Sequence, residues 1–95
     1  MSEAFDKFNS WKDAGTILQL VVSEKGDGPE VFFVRVASID EDLQLVGFID
    51  PKTHSLLPPI SFEDAIFVVG KSSLEAVHPS GDILMCEEKV AGHNF

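Results

Sequence analysis

Between Thr16 and Gly70 no segment runs longer than ten residues before it meets a turn signal. The signals are Lys25-Gly26-Asp27-Gly28-Pro29, Asp40-Glu41-Asp42, the proline-bounded stretch 51–59, Glu63-Asp64 and Gly70. This punctuation excludes a long helix over most of the chain. The intervening segments are rich in β-branched and aromatic residues, which suit strands. They are Thr16 to Glu24, Glu30 to Ile39, Leu43 to Asp50, Ile60 to Phe62 and Ala65 to Val69. Pro58-Pro59 cannot lie inside a central strand, because proline donates no ladder hydrogen bond. Gly47 marks a bend or bulge. The run Val31-Phe32-Phe33-Val34 is apolar on both faces, which predicts that both faces are covered.

Before Gly15 the periodicity is helical. Ala4, Phe8 and Trp11 recur at helix spacing with Phe5 beside them, so residues 2–14 form one apolar face. Ser2 is placed to cap the helix, Glu3 and Asp6 suit its positive end, and Gly15 suits its end. So short a helix is marginal alone, and its Phe/Trp face must dock on the strands.

Residues 71–95 are less sharply patterned. Ser72-x-x-Glu75 fits a capping box and a single helical turn. Pro79-Ser80-Gly81-Asp82 reads as a turn, Ile83 to Glu87 as a further strand, and Lys89 to Phe95 as a tail.

The chain has 95 residues, enough for one domain. Its apolar fraction of 44% predicts a folded globular chain. The 7 basic and 16 acidic side chains leave a net charge of −9. That balance excludes attachment to nucleic acid through a basic surface and disfavours anionic membranes. The N-terminal residues lack the pattern of a signal peptide, and no apolar run is long enough to span a bilayer. The single cysteine, Cys86, excludes an intrachain disulfide and a cysteine-only zinc site, and fits a reducing, cytoplasmic setting. Cys86 lies in the apolar run Ile83-Leu84-Met85-Cys86 and is expected to be buried. His54, His78 and His93 share no ligand spacing. The acidic turns read as solvated charge. No nucleophile elbow or phosphate loop is present, so the expectation is a non-enzyme with no cofactor and no metal.

Two stretches resemble the motifs of the Sm-like (LSm) small barrels. In Val34-Arg35-Val36-Ala37-Ser38-Ile39-Asp40-Glu41-Asp42-Leu43-Gln44-Leu45, Asp40 takes the aspartate position of the first motif. Leu43 takes its apolar position and Gln44 its asparagine position, while Val34 replaces the bend-forming glycine. In Ile60-Ser61-Phe62-Glu63-Asp64-Ala65-Ile66-Phe67-Val68-Val69 the strand–turn–strand frame of the second motif is kept. Phe62 and Glu63 stand where that motif has a basic residue and a glycine.

The resemblance implies a mainly β fold: an N-terminal helix and a five-stranded, strongly bent Sm-like (SH3-like) barrel over residues 1–70, with 71–95 as a C-terminal extension. It further implies a ring of five to seven copies, built by strand addition along open sheet edges, that holds single-stranded RNA weakly. The nucleic-acid-binding residues it implies are Asp40, Leu43, Gln44 and Phe62. For Asp40, a turn-capping role stands beside the ligand role. Phe62 is suited either to stacking on a base or to the core. The alternative to an RNA-binding ring is an oligomeric protein–protein scaffold or adaptor, which the acidic surface and aromatic-rich strands also suit.

Overall fold

A computed structural model describes residues 2–24 and 27–89. The leading helix, α1 (Glu3–Ala14), begins at Ser2, whose hydroxyl accepts the backbone N–H of Phe5 at 3.5 Å. It stops at Gly15, which adopts φ 66°, a left-handed conformation that costs glycine little. Gly15 N–H then donates to Lys12 O and Thr16 N–H to Trp11 O, so the last turn's carbonyls are satisfied.

Seven strands follow among the described residues: β1 (Leu18–Ser23), β2 (Glu30–Asp40), β3 (Leu45–Ile49), β4 (Ile60–Ser61), β5 (Ile66–Val69), β6 (Ser73–Val77) and β7 (Ile83–Glu88). All pairings are antiparallel, and the order across the sheet is β4-β3-β2-β1-β7-β6-β5. The chain is therefore mainly β with one N-terminal helix, as expected, and its sheet holds seven strands rather than five.

The difference lies in residues 71–95. Expected as an extension, the segment supplies β6 and β7, which insert between β1 and β5. Leu74, Ala76, Leu84 and Cys86 from these strands are buried in the common core, so no domain boundary falls at residue 70. The Ser72-x-x-Glu75 signal does not start a helical turn, because pairing of Ser73–Val77 with both neighbours satisfies more backbone than one isolated turn would. The expected tail from Val90 onward lies outside the described residues.

β4 and β5 occupy opposite borders of the sheet, yet only residues 62–65 separate them in the chain. Five residue steps reach at most about 18 Å. A flat sheet of seven strands would be about 29 Å wide. The sheet must therefore curl until its borders approach, although they do not pair with each other. β2 makes the bend possible. Its first half pairs with β1, its second half with β3, and the register slips between Val36 and Ser38.

The concave side carries one core. Ala4, Phe5, Phe8 and Trp11 of α1 meet Leu18, Val34, Val36, Val46, Phe48 and Phe62 there. Phe8 lies 5.2 Å from Phe62 and 5.9 Å from Trp11, ring centre to ring centre. Edge-to-face and tilted contacts of this kind add about 0.5–1.5 kcal/mol per pair beyond burial.

Candidate functional site

The turn that carries Asp40, Leu43 and Gln44 joins β2 to β3. Asp40 Oδ1 accepts the backbone N–H of Leu43 at 3.1 Å, so its carboxylate caps the turn. Gln44 N–H donates to Glu41 O, and Gln44 adopts φ 55°. Gln44 O accepts Phe62 N–H at 2.8 Å, which pins this turn to the end of β4. Leu43 is exposed and stands beside Glu41 and Asp42, both exposed carboxylates.

Phe62 lies elsewhere. It is 1% exposed, with Phe8, Phe67 and His78 around its ring. No ring face is left for a base, so of its two sequence readings the core position is the one it occupies. The structure thus brings Asp40, Leu43 and Gln44 together on one tip and leaves Phe62 behind it in the core.

The helix lysine Lys7 is engaged within the chain. Its ammonium donates to the Lys71 carbonyl, sits 4.0 Å from Glu88 and lies 5.4 Å from the Trp11 ring centre. Lys89 rests over the Phe33 ring at 4.5 Å. His78 Nε2 donates to the Ser61 carbonyl at 2.8 Å, and the imidazole stacks on Phe62. Cys86 is fully buried, and desolvation raises its thiol pKa from 9.0 to about 12. It is therefore a thiol at neutral pH, unsuited to attack as a thiolate. Among the described residues, no three of His, Cys, Asp and Glu gather where a metal ion would sit. No described helix is long and apolar enough to cross a membrane.

One surface feature was concealed by the sequence pattern. Val31 is 52% exposed, Phe33 47% and Phe32 37%, so the apolar run of β2 is not covered on both faces. The reason is register. Val31 pairs with Val21, Val21 with Met85, Met85 with Glu75, and Glu75 with Val68. This row crosses five strands on the convex side, and four of its five residues are apolar. The next row runs Ser23, Ile83, Val77, Ile66, and the row on the other side runs Phe33, Gln19, Glu87, Ser73. Ile66 and Val68, at 72% and 63% exposure, close the patch at the sheet border. Of the nine exposed large apolar residues among the described residues, six, Val31, Phe33, Ile66, Val68, Ile83 and Met85, belong to this face.

The face spans about 19 Å across its five strands. Scattered exposed apolar residues are normal, but a contiguous apolar patch marks a contact surface. Glu75 and Glu87 give it two negative charges, and Lys89, over the Phe33 ring, gives its margin one positive charge. No family model, curated protein or solved structure matches the chain.

Proposed function

We propose that this chain is a non-catalytic protein-interaction module that receives a cationic, amphipathic segment of a partner protein on the convex face of its sheet. The observation that carries the reading is the row Val31, Val21, Met85, Glu75, Val68, aligned by register and left uncovered by α1, which packs on the concave side. Burying such a face releases about 25 cal/mol per Å² of apolar surface. The carboxylates of Glu75 and Glu87 then favour a partner that brings Lys or Arg to them. The net charge of −9 steers basic partners toward the chain and repels polyanions. A buried, unreactive Cys86 suits a reducing, cytoplasmic setting.

The test is a titration with a synthetic helix of leucine and lysine, beside its leucine and glutamate counterpart, followed by amide chemical shifts. The reading expects shifts centred on Val21, Val31 and Met85 with the lysine peptide alone, and their loss in Met85→Glu. Binding of both peptides alike, or no shift on this face, overturns it.

A second reading draws on the two sheet borders. Among the described residues, β4 and β5 are each paired on one side only, and β5 bears no charged residue. An exposed border of this kind favours strand addition by another copy. In the Sm-like reading of the fold, five to seven copies would close a ring and present Asp40, Leu43 and Gln44 to single-stranded RNA. Light scattering separates the two. A mass of 10.4 kDa in the free state supports the adaptor, and a several-fold larger mass with RNA bound at low salt and lost in Gln44→Ala supports the ring.

A further inference from the structure

A separate hollow of about 340 Å³ opens at one end of the curled sheet. Val22, Phe32, Leu57 and Ile60 give it an apolar floor, and Glu24 and Glu30 stand on its rim. Its position follows from the topology. The polar ties of α1, to Lys71 and Glu88, lie where β6 begins and β7 ends. Val22 and Glu30 are paired at the opposite end of the strands, which α1 does not reach with those ties. Phe32 points to the concave side, in the same alternation as the buried Val34 and Val36, yet remains 37% exposed. Pro58 and Pro59 also line it, with φ fixed by their rings.

We infer that this groove is a peptide-docking site that takes one bulky apolar side chain followed by lysine or arginine, from an extended segment of a partner protein. The apolar floor fits the side chain, and the rim carboxylates of Glu24 and Glu30 complement the cation beside it. Side-chain groups that could orient a free small molecule from all sides are missing from the floor, which is wholly aliphatic and aromatic. A peptide needs none there, because the rest of its chain fixes its direction. The groove shares no residue with the convex-face row, so this inference stands apart from that docking surface.

The experiment titrates the full chain with acetyl-Leu-Arg-Leu-Arg-amide, using acetyl-Leu-Glu-Leu-Glu-amide and acetyl-Gly-Arg-Gly-Arg-amide as controls, and follows amide shifts. The expected result is saturable binding of the first peptide alone, with shifts at Val22, Phe32, Leu57 and Ile60. Phe32→Ala weakens it about tenfold, by loss of the buried contact. Glu24→Gln with Glu30→Gln, which leaves the core untouched, weakens it about threefold, the scale of exposed charge pairs. Met85→Glu, on the convex face, leaves binding unchanged. Absence of saturable binding, equal binding of the glutamate peptide, or shifts confined to the convex face overturns the inference.

Discussion

The indole N–H of Trp11 donates to a carboxylate oxygen of Glu88 at 2.9 Å, so the first element is bonded to the last across 77 positions of the chain. Lys7 adds charge to the same point, 4.0 Å from that carboxylate oxygen. The tie explains how a twelve-residue helix, marginal alone, stays docked on the sheet. Trp11→Phe keeps most of the ring and removes the donor. It should lower stability by about 1–2 kcal/mol, measured by urea unfolding. Glu88→Gln retains an acceptor and should cost less than Trp11→Phe. An equal or larger loss in Glu88→Gln would place the tie's strength in the Lys7 pair instead.

Gly47 faces Ser38 across the bulge of β2, and a Cβ built at Gly47 would stand 2.5 Å from Ser38 Oγ. Gly47→Ala should therefore destabilise by about 1 kcal/mol, the scale of a modest overpacking strain. Adding Ser38→Ala should restore most of that, because the next nearest atom is 3.8 Å away. Failure of the second substitution to rescue the first would mean that backbone strain, and not the hydroxyl, sets the requirement for glycine.

Gln44 holds φ 55°, which L-residues other than glycine adopt at a cost of about 1–2 kcal/mol. Glycine loses about 0.5–1 kcal/mol through unfolded-state entropy. Gln44→Gly should then gain about 0.5 kcal/mol, read as a rise in thermal midpoint. Gln44→Val should lose more than Gln44→Ala does. A fall in stability on Gln44→Gly would show that the side chain earns its place by contacts rather than by tolerance of the turn.

Cys86 gives a pH dependence with a definite sign. Burial raises its pKa from 9.0 to about 12, so the folded state holds the proton more tightly than the unfolded chain. Its contribution is fully present below pH 9 and is lost as the pH climbs from there toward 12. Within that window stability should fall by about 1.4 kcal/mol per pH unit from this group alone. The difference between wild type and Cys86→Ala isolates it from lysine titration. Reaction with a thiol reagent at pH 8 should wait on unfolding. Rapid labelling of the native protein would contradict the burial.

Much of this fold is visible in the residues. Ser2, the Ala4–Phe8–Trp11 spacing and Gly15 define α1, because capping and periodicity are local. The β2–β3 turn is equally local, set by the Asp40 cap. Three things are not local. Leu74 and Ala76 alternate with Ser73 and Glu75 as a strand should, but Ser72 and Glu75 also satisfy the spacing of a helix start, and only pairing with β5 and β7 decides between them. The insertion of β6 and β7 beside β1 depends on contacts between Leu20 and Cys86, far apart in the chain. In β7, outward Ile83 and Met85 are as apolar as inward Leu84 and Cys86, so hydropathy cannot say which face is covered. The same ambiguity hid the exposure of Val31 and Phe33. It also left Phe62 readable as a stacking platform until its burial among Phe8, Phe67 and His78 was seen.

The most direct measurement places a photo-crosslinking amino acid at position 85, in the middle of the convex face, and at position 13, on the exposed surface of α1, in cells that make the protein. The account predicts an adduct between position 85 and a different protein, absent from position 13 and abolished by Val68→Glu. Adducts formed only between copies of this chain, or none at position 85, would contradict it.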